Sequence, residues 1–472
     1  MKVLELFSGT CAFTVGLEKA GFKPSKVYYS EVNKHAIANT KYNHPEYVFL
    51  GDVQRITKDN FPDSERLDLL TGGSPCQGFS KSGKNEGRDH EGSGLITEYL
   101  RLIKELKPLK FVWENVEGVL TKTHREDFWA ILKEMIAMGE YTLEWQLCNT
   151  NWVLPQNRSR IFLVGHHRDQ KRNKVFPMMG VGNNPYHNTQ YLSLSGKSIK
   201  TFSPQKIEEL FVSRCDKMPT LGSVNEFGDV DIYAGFSPEI TRKVQLSDIV
   251  LKEVSERYNV SENQMKYLFN EQGKRFKKGF SRILNDDSQT AISLLSKMFD
   301  NWTGNFILEK QSKNIISIDL KQLKSKTAKG MIKDNVVGTL YDDCRVALVI
   351  GEIRTFDVDG ETRWSIDTAP TLKATWRPCG TNNLILGTQI EGYHYYIRKL
   401  TEIECERLQG LKDDHTKYGI YDGIVKELPM TARYQLLGNG ITADVATMIY
   451  SKLFKIQLAQ LIKADMPLLK SA

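Results

Sequence analysis

The first 165 residues predict an α/β doubly wound sheet, and two observations carry that prediction. Short apolar runs alternate with segments of helical periodicity from the first residue onward, and the alternation stops near residue 170. Strand, helix and strand repeated in this way build parallel strands joined by helical crossovers. In chain order, KVLELF reads as the first strand and Ala12 to Ala20 as a helix. KVYYSEVN is the second strand, followed by the helical HAIANTKYN. YVFLGDV, LDLLTGGS, KFVWENV and RIFLVG are further strands. Between them ITEYLRLIKELK and EDFWAILKEMIAMG space their apolar residues for one helical face.

Composition sets the wider frame. The 472 residues suit two or three domains, and 40% hydrophobic with 26% charged residues is ordinary for a globular protein that buries a core. No run of about 18 apolar residues occurs, so no membrane span is expected. MKVLELFSGT reads as a strand rather than a signal peptide. Seven cysteines, odd in number and never in a CxxC pair, predict neither a disulfide framework nor a metal site. Reduced thiols imply an intracellular, cytoplasmic setting. The net charge of +7 is compatible with a polyanionic partner.

Residues 171–397 mix short strands and polar loops and hold 31 Lys and Arg against 26 Asp and Glu. Two basic clusters stand out, Lys274, Arg275, Lys277 and Lys278, and then Lys321, Lys324, Lys326 and Lys329. Either cluster is as readily a solvated face as a binding surface. Helical patterning resumes at RKLTEIECERLQG and runs through GNGITADVATMIYSKLF, a C-terminal segment suited to completing the first domain. The expected domains are therefore 1–170, 171–397 and 398–472.

The candidate functional residues gather where strands end. Gly9 follows the first strand and precedes a helix, which suits a polar or anionic ligand. Glu31 ends the second strand 22 residues later, the distance at which an acidic residue commonly binds ribose hydroxyls. Asp52 ends the third, placed to accept from an adenine amino group. The loop is not GxGxxG, which argues against a pyrophosphate dinucleotide. At the same edge, Cys76 in TGGSPCQGFS follows the fourth strand and Glu114 in WENVEG the fifth. Gln156, Arg158 and Arg160 in LPQNRSRIFLVG adjoin the last. Taken singly, each has a bland explanation in packing or a surface pair. A thiol, a carboxyl and two guanidiniums at matching strand ends make one cleft.

FSG (7–9), Glu31, Asp52, PCQ (75–77), ENV (114–116), QNRSR (156–160), RKLTEIECERLQG (398–410) and GNGITADVA (438–446) resemble, in order and spacing, the DNA cytosine-C5 methyltransferase family, with QNRSR of the bacterial and phage type. The resemblance covers residues 1–168 and 393–460, with the middle matching only in position. It implies a Rossmann-like S-adenosylmethionine-dependent methyltransferase fold with a separate, irregular target-recognition domain. By the match Cys76 is the nucleophile, Glu114 the carboxyl that bonds cytosine N3 and its exocyclic amine, Arg160 the holder of O2, and Arg158 a group orienting the site near the thiol. Phe7, Gly9, Glu31, Asp52, Val53 and Asn439 take the cofactor side, with S-adenosylmethionine as donor, S-adenosylhomocysteine as product and no metal. The glycine-rich stretch 80–94 is the expected lid, with Ser80 and Ser82 on phosphates, and Thr371 and Leu372 of APTLKATWRPCGTNN approach the DNA backbone.

The implied partner is double-stranded DNA, from which the target base flips out. A monomer is expected, and no membrane. In two places the chain departs from the pattern, having Cys11 and Ala12 where further glycines are usual. Cys11 is read as a structural cysteine. Two alternatives stand beside this reading. One is a transfer RNA cytosine-5 methyltransferase, whose CFT signature is absent. The other is a non-catalytic DNA-binding protein of the same fold, against which the intact Cys76, Glu114, Arg158 and Arg160 argue.

Overall fold

The computed structural model describes residues 1–62, 66–75, 94–170, 173–178, 186–238, 240, 242–252, 254–260, 281–284, 290–294, 296, 304–311, 316–317, 333–334, 353–358, 361–366 and 394–454. The chain forms two compact units, one of Met1–Ile249, Ser293–Ser296 and Glu402–Ala472, the other of Val250–Ile292 and Lys297–Thr401.

The first unit is built on β1 (Lys2–Leu6), β2 (Lys26–Ser30), β3 (Val48–Gly51), β4 (Leu69–Gly73), β5 (Lys110–Val116), β6 (Tyr141–Asn149), the short β7 (Gln156–Asn157), β8 (Ser159–His167), β9 (Gln190–Leu194), β10 (Leu221–Val224) and β11 (Val230–Ala234). All but β7 form one sheet in the order β3-β2-β1-β4-β5-β8-β6-β10-β11-β9. The five strands from β3 to β5 are parallel, and β8 runs antiparallel between β5 and β6. From β1 the chain steps outward through β2 to β3, then crosses to the other side of β1 for β4 and β5. The crevice at that reversal, outside the carboxyl ends of the strands, is where such sheets bind ligands.

Helices α1 (Ala12–Lys19), α2 (Lys34–Asn43), α3 (Leu95–Leu106), α4 (Arg125–Ala137), α5 (Gly196–Thr201) and α6 (Pro204–Arg214) follow within the same unit. Strands buried on both faces read as nearly continuous apolar runs, as in VLEL of β1 and FVWE of β5. Successive residues of β4 show the two layers. Leu70 joins a core with Tyr99 and Ile103 of α3 and Trp129 of α4. Thr71 points the other way and shares a 2.9 Å hydrogen bond with the Tyr450 hydroxyl. Helix and sheet thus cover one another as the sequence alternation predicts, in a doubly wound α/β arrangement.

Two parts of the sheet are not evident in the sequence. β6 carries Glu144 and Gln146, fully buried, so its apolar run is interrupted. Those polar side chains serve the adjoining chain: Glu144 accepts from the backbone N–H of Phe176 at 2.8 Å and meets His166 Nε2 at 2.9 Å, while Gln146 accepts from the N–H of Met178 at 2.7 Å. β9, β10 and β11 come from the stretch after residue 170 that lacks regular alternation, and they extend the same sheet by antiparallel pairing.

A buried ion pair anchors this extension. Arg125 of α4 donates through Nε to Glu208 of α6 at 2.8 Å, and Trp129 Nε1 donates to the same carboxylate at 2.9 Å. The guanidinium also lies 4.6 Å from the centre of the Phe211 ring. Removing one partner strands a buried charge, so Arg125→Ala is expected to cost about 3–5 kcal/mol, whereas a well-packed apolar replacement of both residues costs far less. Thermal or urea unfolding of the single and double variants checks this.

The described residues of the second unit are mostly strands, with one 3₁₀ turn at Glu256–Tyr258. β12 (Ser281–Leu284), β14 (Gly304–Gln311) and β19 (His394–Lys399) make a three-stranded sheet, after which the chain returns to the first unit. β13 (Ala291–Ile292) is a short strand, while β15 (Ile316–Ser317) pairs with β16 (Lys333–Asp334), and β17 (Ile353–Val358) with β18 (Glu361–Ile366). The two basic clusters lie outside the described residues.

Back in the first unit are α7 (Glu402–Leu408), the hairpin β20 (Tyr418–Tyr421) and β21 (Ile424–Glu427), α8 (Met430–Asn439) and α9 (Ala443–Leu453). α9 lies tightly on α1: a Cβ at Gly16 would fall 2.6 Å from the Ala443 carbonyl oxygen and 2.7 Å from Ala446 Cβ. Lys19 pairs with Asp444, and Thr447 Oγ1 donates to the Gly16 carbonyl at 3.0 Å. No described helix is long and apolar enough to cross a membrane.

His415 binds this returning segment to the loop after β1, with Nε2 3.1 Å from the Thr10 carbonyl oxygen. Burial, with Lys412 nearby, pushes His415 and its neighbour His44 each down to about 4. An unfolded histidine titrates near 6.5. Below that pH the unfolded chain gains protons that the folded one refuses, so stability is lost as pH falls from about 6.5 to about 4. Glu5, lifted by burial to about 7, works in the opposite sense, as do Glu18 and Glu114, both raised by burial, while His35 and His167, both lowered by burial, add to the histidine side, so that four histidines stand against three carboxyls. Urea unfolding at pH 7 and pH 5 is expected to show the loss, and His415→Gln is expected to reduce it.

Candidate active site

The residues expected on the donor side stand on the loops after β1, β2 and β3. Phe7, Gly9 and Cys11 all take positive φ, between 53° and 55°. For Phe7 and Cys11 that conformation costs roughly 1–2 kcal/mol each, strain of the kind held at functional sites. What holds it is Glu5, buried beneath the loop, which accepts from the N–H groups of Phe13 at 3.3 Å and Thr14 at 2.9 Å and from the Thr14 hydroxyl. The first turn of α1 is thus satisfied from the strand below, since Cys11 gives no side-chain cap. Cys11 Sγ lies 3.4 Å from Thr40 Oγ1, and burial pushes its thiol up.

Glu31 ties two of these loops together. One carboxylate oxygen accepts from Gly9 N at 2.8 Å, and the other from Val32 N at 2.8 Å and Asn33 N at 2.9 Å. A carboxylate has about four acceptor positions, so one remains. Asp52 accepts from Gln54 N at 3.1 Å. Val53 is buried in the core, with its carbonyl taken by Arg101 at 3.1 Å. Asn439 is exposed at the end of α8. A Cβ on the next residue, Gly440, would lie 3.6 Å from Thr10 Oγ1, which places the GNG turn beside the β1 loop. Among the described residues a Cβ at Gly9 would meet nothing closer than 4.0 Å, so these residues leave space beside the loop there.

On the other side of the topological reversal are the ends of β4, β5 and β8. Glu114 is 7% exposed, and its Oε1 lies 3.0 Å from Arg160 Nε. Burial raises the Glu114 carboxyl, while Arg160 and Arg158 pull it back down. Arg160 Nη1 donates to the Ser159 carbonyl at 2.8 Å. Ser74, just past β4, accepts from Trp113 Nε1 at 3.0 Å and from Asn115 Nδ2 at 3.2 Å. These bonds fix the backbone that leads through Pro75 to Cys76. Cys76, Ser80 and Ser82 lie outside the described residues, as do Thr371 and Leu372.

Arg158 is buried and braces the frame. Its guanidinium donates to the carbonyls of Gly440 at 2.6 Å, Gly438 at 3.2 Å and Leu294 at 3.2 Å, and to Ser293 Oγ at 2.9 Å. Gln156 does similar work, donating to the Leu408 carbonyl at 2.8 Å and accepting from Leu294 N at 3.0 Å. So Glu114 and Arg160 meet directly, the donor-side residues line neighbouring loops, and Arg158 holds the turn that carries Asn439. Sequence reading did not single out Glu5, Gly73, Ser74, Trp113 or Asn115. Their roles depend on strand register, although all five stand inside the quoted motifs. Among the described residues no group of three or more His, Cys, Asp or Glu side chains gathers to hold a metal ion.

Residues 1–455 match the family described as C-5 cytosine-specific DNA methylase. The orphan methyltransferase M.SPRI of Bacillus phage SPR is 24% identical over 475 residues, covering 96% of this chain and 97% of that protein. The type II methyltransferase M.NlaIV of Neisseria lactamica is 26% identical over 488 residues, covering 96% of this chain and 98% of its own. Among solved structures, Schizosaccharomyces pombe Dnmt2 methyltransferase aligns with a TM-score of 0.51 at 14% identity, covering 96% of this chain and 98% of that one, a likeness of fold.

Proposed function

The chain belongs to the C-5 cytosine-specific DNA methylase family, and on that premise we propose that it methylates C5 of a cytosine flipped out of a specific duplex DNA sequence, through a covalent bond between Cys76 and C6. The observation that supports this best is the Glu114–Arg160 pair, buried at adjacent strand ends beside the turn that leads to Cys76.

Cytosine C5 is a poor nucleophile. In the proposed route the Cys76 thiolate adds to C6, and the displaced electron pair makes C5 nucleophilic. Glu114, its carboxyl raised by burial, donates to N3 and offsets the charge that develops on the ring, while Arg160 holds O2. S-adenosylmethionine supplies the methyl group as an electrophile. The C5 proton then leaves to a base, the C6–S bond breaks, and the thiolate is restored. The donor-side residues fit such a ligand: the free acceptor position of Glu31 suits ribose hydroxyls, Asp52 the adenine amine, and the open space at Gly9 admits close approach. Phe7, Val53 and Asn439 complete that side.

We assign recognition of the duplex to the middle region, whose basic excess would offset phosphate charge, with Thr371 and Leu372 near the DNA backbone and Ser80 and Ser82 on phosphates. The match to the family described as C-5 cytosine-specific DNA methylase favours DNA over transfer RNA as substrate. Labelled methyl transfer from S-adenosylmethionine to duplex DNA and to transfer RNA tests this. Label on duplex DNA is expected; label on transfer RNA alone, or on neither, contradicts it. Bisulfite sequencing of DNA from expressing cells then reads the target sequence.

A further inference from the structure

We infer that Gly73 is a positioning residue for Glu114: the missing side chain at 73 is the space in which the catalytic carboxylate lies. The inference rests on the reading of Glu114 as the group that holds the base. β4 and β5 are parallel neighbours, and Gly73 stands in register with Glu114. A Cβ at Gly73 would fall 2.4 Å from Glu114 Oε2, 3.5 Å from its Cδ and 3.8 Å from its Cβ. The carboxylate therefore leans across β4 with one oxygen, while the other meets Arg160 Nε, on β8, at 3.0 Å. One strand supplies the vacancy and the other the charge, and together they set the angle of the carboxyl group.

The neighbouring glycine shows the contrast. A Cβ at Gly72 would lie 2.5 Å from the Leu6 carbonyl oxygen, part of the β1 backbone, which cannot yield without disturbing the sheet. At Gly73 the closest obstacle is the end of one side chain. Its backbone does not demand glycine either, since it is absent from the positive-φ residues. Ordinary contact begins near 3.4 Å, so a methyl group at 73 would drive Oε2 away by about 1 Å and swing Oε1 off Arg160. A displacement of that size at reacting groups costs on the order of 10²-fold in rate.

The test is a double-mutant cycle on the full chain with duplex DNA. Gly73→Ala is expected to lower kcat by about 10²-fold, with KM for S-adenosylmethionine and the thermal midpoint little changed. Glu114→Asp withdraws the carboxyl by one methylene and empties the contested space. Added to Glu114→Asp, Gly73→Ala is expected to change kcat by less than about threefold, because the two residues no longer touch. A Gly73→Ala enzyme within about threefold of the parent, or losses that multiply in the double variant, overturns the inference. Should Gly73→Ala fail to fold, recovery of folding in the double variant supports the clash with Glu114, and its absence overturns it. Failure of the underlying reading looks different: Glu114→Gln would itself retain the parent rate.

Discussion

Replacing Cys76 with alanine is expected to abolish methyl transfer, by more than about 10⁴-fold in kcat, while leaving the fold and S-adenosylmethionine binding in place. Without a thiolate at C6 the ring keeps its aromatic electrons, and C5 has nothing to offer an electrophile. No other described cysteine can stand in. Cys11, Cys148, Cys215 and Cys405 are all buried, and burial pushes each of these thiols up, away from the thiolate form. Cys76 follows Ser74 and Pro75 in the chain, and Ser74, just past the carboxyl end of β4, is held by Trp113 and Asn115. Methyl-transfer rates, with calorimetric titration of S-adenosylmethionine into the variant, check both halves of the expectation.

Glu114→Gln is the second large effect. The amide preserves shape and can still donate one hydrogen bond, but it cannot transfer a proton and it leaves Arg160 without its ionic partner. A loss of about 10²–10⁴-fold in kcat is expected, with DNA binding retained. The pH dependence carries a sign. Burial raises this carboxyl above the ordinary range against the pull of Arg160 and Arg158, so the protonated form persists to higher pH than in a free glutamate. If proton donation to N3 limits the rate, turnover of the parent falls as pH rises through that shifted pKa, and the glutamine variant lacks this limb. Comparing kcat–pH profiles of the two proteins, with DNA saturating, separates a chemical role from a structural one.

Much of the fold was legible because parallel strands buried on both faces leave nearly unbroken apolar runs. β1, β2 and β5 show this. β6 was not legible because Glu144 and Gln146 break the run, and the partners that justify them lie about thirty residues downstream. β9 to β11 were hidden for a different reason: they are short and antiparallel, with α5 and α6 between β9 and β10 and only a polar turn between β10 and β11, so no regular crossover rhythm announces them. At the site, residue types at strand ends were enough to bring Glu114 and Arg160 together. Register was not available from sequence, so the space at Gly73, the support of the β1 loop by Glu5 and the bracing of Gly438 and Gly440 by Arg158 all emerged only from the structure. Arg158 in particular donates to backbone carbonyls and a serine hydroxyl, which makes it a brace for the cleft.

The central claim is the covalent bond between Cys76 and the base, and duplex DNA carrying 5-fluorocytosine at the target position tests it most directly. Fluorine at C5 cannot leave as a proton does, so the adduct is held before the C6–S bond can break. With S-adenosylmethionine present, the parent enzyme is expected to give a complex that survives denaturing electrophoresis, with the modified peptide mapping to Cys76, and Cys76→Ala is expected to give none. An enzyme that methylates ordinary duplex DNA yet forms no such complex, or a complex that persists in Cys76→Ala, would contradict the covalent mechanism.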